Sequence, residues 1–297
     1  MDGLLIGSPW IIKKKYLKIL GYQVVFVISL CTYFFLCLLL YLQTLDGFKP
    51  KIIRNRNPAL MMRPLPTNPY STLIHFKHGG SGTWQDLKES LDDFITPYAG
   101  HGQFQGPSET CSWDSQLDPR KRCHVAVRGW FNLSSEVACT KPEAYGYVRG
   151  YPCIAFKINR IYGWQPEPYY NISEIEHHPQ MPKQLKHHIK KSWNEKCDIS
   201  DTKCAILRMI WITCEGSTPA DVENLGPVSY MPLQGFPGYF YPFLNQQHYL
   251  SPVVWIQLTS VYPGVLINIE CKIWAKNIQH DDTNPMTGGF KFELMMD

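Results

Sequence analysis

The sequence lacks a second long uncharged apolar run. That excludes a multi-span channel or transporter, in which every helix needs about 20 such residues. It also lacks a strong charge of either sign: 29 Lys and Arg against 25 Asp and Glu leave +4. The basic residues sit in short local runs, so no nucleic-acid surface is indicated. No G-x-S-x-G elbow, no G-x-x-x-x-G-K loop and no H-E-x-x-H motif occurs. The signatures of serine hydrolases, P-loop enzymes and zinc proteases are therefore missing. CxxC pairs are absent too, which argues against a zinc ribbon.

What the sequence does have is ten cysteines, unevenly placed. Cys31 and Cys37 lie in the apolar run. The rest (Cys111, Cys123, Cys139, Cys153, Cys197, Cys204, Cys214 and Cys271) all follow it. An even set on one side of an apolar segment reads as a disulfide framework in an oxidising compartment, although spacing alone leaves the pairing open.

From Tyr22 to Leu42 there is no charged residue. As a helix this run spans roughly 30 Å, the thickness of the bilayer hydrocarbon. A cleaved signal peptide would have a shorter apolar region and a small-residue exit, and Tyr41-Leu-Gln-Thr-Leu-Asp46 offers none. A retained signal anchor is expected. Lys13, Lys14, Lys15 and Lys18 before the span are nearly balanced by Lys49, Lys51, Arg54 and Arg56 after it, so charge alone does not set the orientation. The cysteines and two acceptor sequons, at Asn132 and Asn171, place the C-terminal bulk outside the cell. The expected organisation is a cytoplasmic tail over 1–21, a span over 22–42, a proline-rich stem over 43–70 and an extracellular domain over 71–297.

Within that domain, Trp84, Leu87, Leu91 and Phe94 recur at helical spacing, with Ser81 or Thr83 as N-cap and Pro97 beyond the end. Elsewhere short apolar runs predict strands: Thr72–Phe76, Cys153–Ile158, Ala205–Ile212, Val253–Thr259, Val265–Ile273 and Phe290–Leu294. Separated by Pro, Gly and Asn turns, they predict an antiparallel β-sandwich with a short helix.

Residues able to do chemistry have plainer readings. Ser81 among glycines lacks the strand–elbow–helix context of a nucleophile. His177-His178 and His187-His188, with Cys197 and Cys204 beyond, read better as an exposed basic loop with an additional disulfide than as a metal site. Asp92-Asp93 and Asp281-Asp282 lack a carboxylate at i+2 and read as solvated acids. No cofactor and no metal is expected.

Two blocks carry a family resemblance. Tyr145-Gly-Tyr-Val-Arg-Gly-Tyr-Pro-Cys-Ile-Ala-Phe-Lys-Ile-Asn-Arg160 and the segment from Gly235-Phe-Pro237 to Lys272 resemble the β subunits of Na,K- and H,K-ATPases, as does Asp46-Gly-Phe-Lys-Pro50 just beyond the span. The resemblance implies an immunoglobulin-like sandwich and the bridges Cys111–Cys123, Cys139–Cys153 and Cys214–Cys271, leaving Cys197 and Cys204 to pair with each other. It implies a non-catalytic plasma-membrane subunit that enables folding and surface delivery of a catalytic α subunit and tunes its K⁺ affinity. A small single-span regulatory subunit is a further candidate partner, and the bilayer is a third.

Contact with α is expected along Tyr22, Phe26, Ser29 and Tyr33, which share one helical face. Outside the membrane it is expected at Phe240, Tyr241, Pro242, Phe243 and Leu244, which match the family's aromatic cluster. Gln23, Val27, Phe240, Phe243 and Leu244 depart from it, standing where the family tends to have tyrosines. Two other classes share parts of this outline. A lumenal glycosyltransferase has the same tail, span and stem, and a pump-independent adhesion protein would use the same outer domain.

Overall fold

The computed structural model describes residues 9–46, 49–50, 57–68, 70–99, 108–109, 111, 122–123, 139–169, 171–197, 205–281, 283–284 and 287–297. The chain forms two units, residues 1–54 and 55–297.

The first unit is built on α1, Pro9–Gln43. Proline is at home at a helix start, where its missing N–H has no partner to lose. The lysines that follow are good helix formers, so the helix begins well before Tyr22. Its apolar stretch Tyr16–Gln43 is long enough to cross a membrane. The side chains there are exposed, as expected of a helix whose apolar surface is meant for lipid or another helix.

In the second unit, nine strands form the two larger sheets: β1 Leu60–Arg63, β2 Leu73–Phe76, β3 Cys153–Ile158, β4 Met209–Gly216, β5 Val228–Met231, β6 Gly235–Pro237, β7 Val254–Leu258, β8 Ile267–Trp274 and β9 Gly289–Met296. Among the described residues four α-helices accompany them: α2 Gln85–Ala99, α3 Ile172–Glu176, α4 Lys183–Lys196 and α5 Pro219–Leu225. One sheet runs β6-β4-β8-β9-β2 and the other β1-β3-β7-β5. Their apolar faces share one core, in which the rings of Phe156 and Phe292 lie 6.1 Å apart.

Three expectations need correcting. First, the sheets are not wholly antiparallel, because β9 pairs with β2 in parallel, Leu294 beside Ile74. Second, Leu60–Arg63 pairs with β3, Met62 opposite Phe156. The folded domain therefore begins before residue 70, and prolines flank a strand that was read as stem. Third, the helical content exceeds one short helix, and the histidine-rich stretch is no exposed loop. In α4, Leu185 and Ile189 are buried and pack with Ile175, Met181, Met209, Trp211 and Trp274 in a second cluster. This layer covers the outer side of β4, which explains why Met209–Cys214 is buried residue after residue.

On the other sheet, Trp255 stacks on Tyr145, 5.6 Å away and 12° from parallel. Asp92 of α2 accepts from the Tyr145 hydroxyl and pairs with Lys88 and Lys141. Burial pushes its carboxyl up, but these hydrogen bonds together hold it below its ordinary value. It is a structural acid rather than a solvated one.

Cys214 and Cys271 are direct neighbours on β4 and β8 and are disulfide-bonded. The bridge therefore joins strands within one sheet, whereas antibody domains bridge their two sheets. Cys111–Cys123 and Cys139–Cys153 are bonded as well. In the chain-entropy account, loops of 12 and 14 residues contribute about 3 kcal/mol each and one of 57 residues about 4 kcal/mol.

Candidate partner-binding surface

Tyr22, Phe26 and Tyr33 are exposed on α1. Ser29 shares their face, but its hydroxyl donates to the Val25 carbonyl at 2.9 Å. Thr32 likewise donates to Ile28 at 2.8 Å. Both hydroxyls are thus satisfied within the helix, and the face works as an aromatic and small-residue surface rather than a polar one.

In the second unit the aromatic segment divides in two. Phe240 and Tyr241 are buried at 2% and 4% exposure. Tyr241 packs edge-on against Trp164, and Phe240 belongs to the main core. Their side chains hold the segment down and are not exposed in the free chain, although the sequence marks both as contact positions. Pro242, Phe243 and Leu244 remain half-buried and available.

The loop carrying them is a built structure. Gly163 N–H donates to the Phe243 carbonyl at 2.8 Å. Gln246 closes a tight turn by accepting from Leu244 N–H at 2.9 Å. The Tyr249 hydroxyl donates to the Phe240 carbonyl at 3.1 Å, and Tyr98 from α2 donates to the Ser251 carbonyl at 2.8 Å. Asn245 and His248 both adopt left-handed backbone, φ 60° and 57°. Such a conformation persists only when neighbours enforce it.

Arg160 does much of that enforcing. Its Nη2 donates to the Tyr249 carbonyl at 2.8 Å, and its guanidinium lies 5.6 Å from the ring centres of both Phe243 and Tyr249. A cleft of about 350 Å³ opens between Arg160, Pro97 and residues 243–250. Arg160 was not singled out from the sequence. The available signal was a charge closing the apolar strand Cys153–Ile158 inside a block that carries the family resemblance.

Asn171 is exposed and caps α3, its side-chain oxygen accepting from Glu174 N–H at 2.9 Å. Asn132 and Cys204 lie outside the described residues, and Cys197 is disulfide-bonded. The histidines are occupied separately. His178 Nδ1 accepts from Met181 N–H at 3.2 Å, and His188 lies edge-on to Trp211. Among the described residues no group of three or more His, Cys, Asp or Glu is placed to hold a metal ion.

The family described as sodium/potassium ATPase beta chain matches residues 12–292. The chain is 37% identical over 272 residues to the sodium/potassium-transporting ATPase subunit beta-2 of Drosophila melanogaster, covering 88% of this chain and 79% of that protein. To subunit beta-1 of the same organism it is 32% identical over 294 residues, covering 96% and 87%. To subunit beta-1 of Tetronarce californica it is 25% identical over 304 residues, covering 97% and 89%.

Proposed function

The chain belongs to the sodium/potassium ATPase β chain family, as a non-catalytic accessory subunit, and from that premise we propose how it serves its pump. It enables a catalytic α subunit to fold, leave the endoplasmic reticulum and reach the plasma membrane, and it tunes K⁺ affinity in Na⁺/K⁺ exchange. The orientation is type II, with the disulfide-bonded domain outside the cell, N-glycosylated at Asn132 and Asn171. The two packed sheets are a variant of the immunoglobulin-like sandwich, and Cys197 pairs with Cys204.

One observation carries the reading. A single apolar helix and a disulfide-bonded outer domain occur in one chain that matches the family from residue 12 to 292. Two surfaces meet α. Within the membrane they are Tyr22, Phe26 and Tyr33, with Ser29 as the close-approach position. Outside it they are Pro242, Phe243 and Leu244, held out by Phe240, Tyr241 and Arg160.

The test is co-expression of the full chain with a Na,K-ATPase α subunit, mild-detergent co-purification and surface labelling of α. Co-purification together with more α at the surface supports the subunit role. Unchanged surface α with no association contradicts it.

A further inference from the structure

Three cations gather on one side of the sheet β1-β3-β7-β5. Arg63 ends β1, Lys157 lies on β3 and Arg160 follows it. Arg63 and Lys157 share the ring of Phe94, at 6.0 and 5.1 Å from its centre. Arg160 stands over Phe243 and Tyr249, in the cleft that Pro97 of α2 helps to line. Among the described residues none of the three makes an ion pair with a carboxylate.

Among the described residues, their polar contacts are to carbonyls: Arg63 to Met62 and Arg160 to Tyr249, both at 2.8 Å. Burial pushes the Arg63 guanidinium below its ordinary value. Burial, then the charges of Arg63 and Arg160, do the same to the Lys157 ammonium. Arg63 and Lys157 are half-buried and Arg160 beside them is exposed, and two half-desolvated like charges without a counter-charge among the described residues are costly to hold. The fold nevertheless keeps them together beside aromatic rings that orient them.

We propose that Arg63, Lys157 and Arg160 form a receiving site for carboxylates on an acidic extracellular segment of the catalytic subunit. The site rests on the subunit role proposed above and extends its outer contact surface, since Arg160 packs directly on Phe243. A guanidinium has five N–H donors in a planar fork, and the single bond to Tyr249 leaves Arg160 able to take a carboxylate side-on. The missing counter-charge arrives only on assembly, so the cluster favours the assembled pump over the free subunit.

The experiment co-expresses the full chain with a Na,K-ATPase α subunit and measures α recovered in mild detergent against rising NaCl. Wild type is compared with Lys157→Gln, Arg160→Gln, the double variant and Arg160→Lys. Heat resistance of each chain expressed without α is followed in parallel. Wild type loses α as salt rises. The double variant recovers about tenfold less α at low salt, with a flatter salt response, and Arg160→Lys, which keeps the charge but not the planar fork, recovers an intermediate amount. Lys157→Gln alone weakens recovery while leaving the free chain as heat-resistant as wild type or more so, because a repulsion has gone.

Equal recovery and equal salt response in all variants overturns the inference and leaves the subunit role standing. Loss of α that only tracks loss of heat resistance also overturns it, since that is a folding effect. Failure of wild type itself to recover α removes the subunit role along with the inference.

Discussion

Asp221 shows how much one side chain can organise. Its carboxylate accepts from Thr218 N–H and Oγ–H at 3.1 and 2.7 Å, closing a capping box on α5. It also accepts from Asn268 N–H on β8 at 2.9 Å. Burial raises its affinity for a proton, but the bonds from Asn268 and Thr218 outweigh that and hold the carboxyl below its ordinary value. A depressed carboxyl contributes stability above its unfolded value, near 3.8, and loses it as pH falls through the folded value. Asp221→Asn is expected to cost about 1–2 kcal/mol at neutral pH and to flatten this acid dependence. Thermal unfolding of the solubilised chain at several pH values reads both. The Thr-x-x-Asp spacing was legible in the sequence, but the bond to Asn268 was not, because it joins residues far apart along the chain.

At the scale of elements, the β runs that declare themselves are those buried on alternate or both faces, such as β3, β7 and β8. Leu60–Arg63 hid among prolines, and Val228–Met231 and Gly235–Pro237 are too short to show a period. The layer α3–α4 was harder still. Its histidines and lysines dominate the composition, while only Leu185 and Ile189 of α4 go fully inward. Ile189→Ala should therefore cost about 2–4 kcal/mol and loosen the layer, as read by protease cleavage within α4.

The same layer should be acid-sensitive. His178 touches Trp274 edge-on at 5.7 Å, with His280 4.4 Å from the same ring. Burial, then Lys186, hold His178 below its ordinary value of 6.5. Lys186 bonds the carbonyls of Glu176 and His178, and Lys190 pairs with Glu176. Between 6.5 and the lower folded value the unfolded chain binds more protons, so stability falls as pH drops through that window and levels off below it. His178→Gln should weaken this dependence, measured as the shift in unfolding midpoint between about pH 7.5 and about pH 5.5.

For the whole molecule, the division into an apolar helix and a disulfide-bonded domain was plain from the charge-free run and the one-sided cysteines. The candidate partner surface was only half legible. Five consecutive residues looked alike, and packing sorted Phe240 and Tyr241 into the core, leaving Pro242, Phe243 and Leu244 half-buried. Replacing Phe243 and Leu244 with Ala should thus reduce recovery of α about tenfold with little change in the chain's own stability, whereas Tyr241→Ala should destabilise the domain by about 3 kcal/mol. Co-purification and thermal unfolding separate the two effects. Removing the Cys214–Cys271 bridge, which closes 57 residues, should cost about 4 kcal/mol and hold the chain inside the cell, read by surface labelling of the chain itself.

The central claim is that this chain delivers a pump, and the amount of α at the cell surface tests it most directly. Surface α should rise when the full chain is co-expressed and the two should co-purify, with the rise lost when Phe243 and Leu244 are both replaced. Surface α that stays at its level without the chain, with no α in the detergent complex, would contradict the account.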